Sequence, residues 1–115
     1  MAPLLDIAQS GLTAESLRLE VGSNNVANSL TSGFVPSGVA AEALPLGGVA
    51  GRVVPGDPAV ESQLDRTVVG MSAPSGTDLA RETANRISAS AAFRANLQSL
   101  RAAEVTDRAL FSLRS

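Results

Sequence analysis

This sequence predicts a mainly α protein: long N- and C-terminal helices that pair as a coiled-coil-like hairpin, joined by a loop-rich connector holding at most a small β-hairpin. Three observations carry that reading. Leu5, Leu12, Leu19 and Val26 recur every seven residues, the period of a coiled-coil seam. From residue 77 to residue 115 there is no glycine or proline, so a long helix runs there without an internal breaker. Between them, residues 29–76 hold five of the six prolines and most of the glycines and valines. The chain therefore divides into an N-terminal helical segment (1–34), a connector (35–76) and a C-terminal helix (77–115).

Taken in order, Pro3 suits a first-turn position and Asp6 lies where a carboxylate favours the positive end of a helix dipole, so the first helix spans 3–28. Its Leu5 seam, with Ala8 inside it, has a companion in Ile7, Ala14 and Val21. The second set is displaced by two residues, about 200° around the helix. A helix on the surface of a self-contained domain needs only one apolar stripe; two opposed stripes describe a helix wedged between neighbours. The pattern stops at SNNVANSLTSGF (23–34), where Asn24, Asn25 and Asn28 read as a helix terminus, since asparagine tolerates left-handed backbone.

In the connector, GGVAGRVV (47–54) and RTVVGM (66–71) carry valine runs consistent with short strands, bounded by the turn signal Pro55-Gly56-Asp57-Pro58. The C-terminal helix opens with Ser75 and Asp78 at capping-box spacing, Thr77 being an alternative cap. Glu82–Arg86 and Glu104–Arg108 are pairs of the favourable i,i+4 orientation. Phe93, Leu97, Leu100 and Phe111 form a bulky seam, whereas Ala84, Ala91, Ala95, Ala102, Val105 and Ala109 form a small-residue seam. Arg94, Arg101 and Arg108 make a cationic ridge at seven-residue spacing, or simply a solvated face.

Composition narrows the function classes. The 115 residues include 19 alanines, no Trp or Tyr, and Phe34, Phe93 and Phe111 as the aromatic content. Aromatic side chains dominate core energetics, so an isolated core is thin and partners supply part of the ordering. A net charge of −2 with nine arginines lacks the basic excess of nucleic-acid binders. Zero cysteines exclude disulfides and thiolate metal sites. The N-terminus shows no basic-then-apolar secretory signal, and no apolar run approaches the roughly 20 residues that span a bilayer. With no His, Cys, Lys or Tyr, most general bases and nucleophiles are missing. The acids form no metal-binding cluster, and GGVAGR matches neither phosphate-binding fingerprint. No enzyme activity, cofactor or metal is expected.

Asn24-Asn25-Val26-Ala27-Asn28 followed by Thr31-Ser32-Gly33-Phe34 resembles the N-terminal signature of flagellar basal-body rod and hook proteins, approximately A-N-N-I/L-A-N-x-x-T-x-G-Y/F. Asp78-Leu79-Ala80 through Phe93-Arg94-Ala95-Asn96, with Glu82, Ile87 and Ala89 in place, resembles that family's C-terminal helix. GGVAGRVVPGDPA resembles a segment of its proximal-rod members. Ser32 stands where the family usually has proline, and Leu30 where a polar residue is commoner. The resemblance implies an axial structural protein, exported without a cleaved signal peptide and polymerising in the periplasm. Its partners would be itself and other rod proteins, with membrane-ring and export-apparatus components as further contacts, and neither nucleic acid nor a membrane span. The implied assembly residues are Leu5, Leu12, Leu19, Asn25, Val26, Asn28, Gly33, Phe34, Ile87, Phe93, Asn96, Leu97 and Leu100. Two other classes fit the residues less well: a soluble helical-hairpin adaptor binding one partner helix, and a small-molecule-binding domain, for which pocket-forming aromatics are lacking.

Overall fold

The computed structural model describes residues 2–57 and 75–114. Helix α1 (Ala2–Ala27) is followed by strands β1 (Gly38–Ala43) and β2 (Val49–Val54), then helix α2 (Leu79–Leu113). The two helices pack antiparallel, the Gly22 level of α1 beside Glu82 and the Gly11 level beside Asn96. At about 1.5 Å per residue, the 26 residues of α1 and 35 of α2 make α2 longer by about 13 Å. The radius of gyration is 19.5 Å, against about 13 Å for a compact chain of this length.

The predicted sandwiching of the first helix is realised within the chain: α1 has α2 on one side and the hairpin on another. Towards the hairpin it presents Ile7, Ser10, Ala14 and Leu17, which meet Gly47, Gly48 and Gly51 closely. Towards α2 it presents Gly11 and Gly22, with Ala8 buried on the same side by spacing. A Cβ on Gly11 would sit 2.7 Å from Nδ2 of Asn96. A helix-interior glycine costs about 1 kcal/mol relative to alanine; at Gly11 the return is this close approach.

Helix α1 starts at Ala2 and has no acid in its first turn. Asp6 therefore lies beyond the last residues that feel the dipole strongly. At the other end no non-glycine residue among those described takes positive φ, so the asparagines do not close the helix by left-handed backbone. Asn28 closes it with its side chain, Nδ2 donating to the Asn24 carbonyl at 2.9 Å while its Oδ1 accepts from Thr31 Oγ1 at 3.2 Å. Gly33, at φ +71°, supplies the one left-handed position of the elbow.

The hairpin pairs β2 with β1, in register Gly38↔Val54 to Ala43↔Val49. Sequence reasoning found β2 inside GGVAGRVV but not β1, whose GVAAEA is too alanine-rich to signal a strand. The second valine run, 66–71, lies outside the described residues. Gly47 and Gly48, at φ +90° and +92°, let the 44–48 loop turn back onto α1. There Ser10 Oγ donates to the Ile7 carbonyl and accepts the Val49 amide at 3.1 Å.

In α2 the cap is Asp78, which accepts from the Arg81 amide at 3.1 Å. Ser75 instead accepts from the Thr77 amide, so the cap and the capping-box pair are different residues. The line facing α1 is Glu82, Ala89, Asn96 and Ala103, seven residues apart, three of them buried. Phe93, Leu97 and Leu100 are half-buried beside this line, and Phe111 is exposed. Small side chains occupy the centre because they permit the close helix approach, which leaves the bulky seam as its flank. Neither predicted i,i+4 pair forms: Glu82 turns inward, and Glu15–Arg18 at 3.2 Å is the ion pair seen among the described residues. Among the described residues, the buried apolar side chains of the two helices are all alanines, and the largest fully buried side chain is Asn25.

Candidate functional site

Asn25 sits at the last turn of α1, where the chain must reverse, and is 1 % exposed. Its Nδ2 donates to the Ser37 carbonyl at 2.8 Å and to Glu82 Oε1 at 3.1 Å. Its Oδ1 accepts from the Ser37 amide at 3.0 Å, and its backbone carbonyl accepts from Thr77 Oγ1 at 3.1 Å. One amide thus joins the end of α1, the strap leading to β1, and the start of α2. The chemistry requires an amide, since the side chain must both donate and accept. Asp at this position would accept from Ser37 but oppose the Glu82 carboxylate. A backbone bond from the Gly76 amide to the Phe34 carbonyl at 2.9 Å closes the same junction, and Pro36 is buried within the strap.

Glu82, 6 % exposed, is held by Asn25 and lies against Gly22, where a Cβ would come within 3.3 Å of its carboxylate. Beside this clasp is an open groove of about 330 Å³, with Arg18, Asn25, Ser37, Glu82 and Asn85 among its polar lining. One guanidinium, that of Arg18, and one carboxylate, that of Glu82, line the groove. Among the described residues no acidic cluster could hold a metal ion, and no helix is long and apolar enough to cross a membrane.

Eleven of the thirteen expected assembly residues fall into two groups. Asn25, Asn28, Gly33 and Phe34 build the elbow from within. Leu5, Leu12 and Leu19 on α1, with Phe93, Asn96, Leu97 and Leu100 on α2, lie half-buried along the flanks of the pair. Val26 is partly open, and Ile87 is 67 % exposed on the outer side of α2. Sequence reasoning missed Glu82, Ser37 and Thr77 as members of the clasp. Gly22 in mid-helix was the available signal for Glu82, because an interior glycine marks close approach of another group.

Residues 5–34 match the family model described as flagella basal body rod protein. No curated protein matches the chain significantly. The matched segment runs from the first seam leucine through the clasp asparagine to Gly33 and Phe34, the stretch that forms α1 and the elbow. Over these residues the chain is similar to flagella basal body rod proteins.

Proposed function

We propose that the chain is a structural subunit of the flagellar basal-body rod, polymerising through its terminal helices as part of the periplasm-spanning shaft. The observation that supports this is the incompleteness of the α1–α2 pair. The segment matched to the family forms α1, yet the pair buries only alanines as apolar core while Ile87, Val105 and Phe111 stay largely exposed along α2. Apolar side chains left open in this number favour an interaction surface. The half-buried leucines and Phe93 hold the subunit together on one side and offer a flank to a neighbour on the other, whereas the clasp fixes the angle at which the chain leaves the helical layer. The short connector between the helices favours a proximal position in the rod. Partners on this reading are further copies and other rod proteins, with ring and export components at the ends.

The test is to express the chain with a small epitope tag in a motile cell and isolate basal bodies. Co-purification in a fixed ratio to rod components is expected. Absence from basal bodies, with the chain recovered instead as a one-to-one complex with a single soluble partner, would overturn the proposal in favour of an adaptor.

A further inference from the structure

Helix α1 has a third side that neither α2 nor the hairpin covers, and Asp6, Thr13 and Glu20 lie exposed along it. On α2, Arg94, Arg101 and Arg108 are likewise exposed. None of the three arginines forms an ion pair among the described residues, although Glu104 lies four residues before Arg108. Residues 2–27 carry a net charge of −2 (one Arg, three acids), and residues 79–113 a net charge of +2 (five Arg, three acids). Asp6 and Glu20 are fourteen residues apart, as are Arg94 and Arg108. Both spacings amount to about 21 Å along a helix, on one side of it.

Resting on the assembly reading above, we infer that the Arg94–Arg101–Arg108 ridge of one copy docks on the Asp6–Thr13–Glu20 stripe of α1 in a second copy. The equal spacing lets both outer arginines meet a carboxylate at once, with Arg101 opposite the Thr13 hydroxyl. The residues three positions before each arginine are Ala91, Gln98 and Val105, all exposed. Two of these are apolar, and Val105 is 66 % exposed. The contact therefore covers apolar surface as well as pairing charge, which an isolated solvated ridge would not do. Ridge and stripe are different surfaces of one chain, so a contact made once per pair of copies is head-to-tail and extends an assembly.

The experiment uses two reversed chains, Arg94→Glu/Arg108→Glu and Asp6→Arg/Glu20→Arg, and their four-fold combination, with circular dichroism confirming native helicity. Assembly is followed by light scattering and electron microscopy at low ionic strength. Each reversed chain alone should need about tenfold more protein to assemble than the unmodified chain. The four-fold chain should assemble normally, and an equimolar mixture of the two reversed chains should co-assemble, since each then offers what the other lacks. Raising salt should weaken the unmodified assembly as charges become screened. If the unmodified chain assembles and the reversed chains assemble equally well, or neither the combination nor the mixture recovers, the ridge–stripe contact is wrong while the rod reading stands. An unmodified chain that stays monomeric at low salt and is absent from basal bodies overturns both.

Discussion

At the elbow, Asn25 is almost fully buried and takes part in four hydrogen bonds that join three segments, its own included. At the opposite end α2 outruns α1, and there Phe111 is 72 % and Leu113 83 % exposed. One end is closed with polar groups; the other is left open with apolar ones. The chemistry of each suits its task. A hydrogen-bonded amide has a single satisfied geometry, so it fixes an angle. Exposed apolar side chains are indifferent to direction and gain only when something covers them. With alanines as the buried apolar residues of its helices, the chain gets its shape at the elbow and leaves larger apolar side chains uncovered along α2.

The comparison breaks most completely at Asn25. Asn25→Asp sets a second carboxylate against Glu82 in a buried site and removes the only donor given to it by α1. Leaving a buried charged group unsatisfied costs about 1–3 kcal/mol or more, and the added repulsion brings the expected loss to about 3 kcal/mol or above. Chemical unfolding followed by circular dichroism reads it directly. Adding Glu82→Gln should recover part of the loss, because the amide and carboxylate then exchange roles. A chain that tolerates Asn25→Asp with no change in unfolding midpoint would show that the clasp does not hold the elbow.

Much of this was legible in the sequence. Ile7 and Ala14 mark the side of α1 that the hairpin meets, whereas the Leu5, Leu12 and Leu19 set only flanks the side facing α2, which Ala8, Gly11 and Gly22 occupy. The breaker-free run after residue 77 announced α2. Its inner line escaped because Glu82, Ala89, Asn96 and Ala103 look unlike a seam when hydrophobicity is the signal; they are chosen for size. Glu82 was misassigned for a related reason. Spacing offers Arg86 as a local partner, and only the fold brings Asn25 to the carboxylate across 57 positions of sequence. β1 escaped because alanine pairs in a strand only when a partner strand and a covering helix are already there.

A smaller effect is expected where the hairpin leans on α1. Gly48 has φ +92°, and a Cβ there would meet Ser10 Oγ at 2.5 Å, whereas at Gly33, with φ +71°, a Cβ would meet nothing within 4 Å. Placing an L side chain in left-handed backbone costs about 1–2 kcal/mol. Gly33→Ala should lose about that much, and Gly48→Ala about 1 kcal/mol more, because Ser10 must release the Val49 amide. Amide exchange at Val49 should quicken in the Gly48 variant alone. Equal losses at both glycines would show that the loop does not bear on Ser10.

The smallest effect on folding belongs to the open end. Phe111→Ser removes a side chain that the fold leaves largely in water, and Ser and Phe have similar helix propensity. Its carbonyl, which accepts the Arg114 amide that ends α2, is untouched. The unfolding free energy should therefore move by less than about 0.5 kcal/mol, while assembly monitored by light scattering weakens because the neighbour loses an apolar contact. The pairing with Asn25→Asp gives the measurement its force: one variant destabilises the subunit, and the other leaves a folded subunit that adds to its neighbours more weakly. A drop in folding stability comparable to that of a buried aromatic would mean that Phe111 is used inside the chain, and the open end would no longer be open.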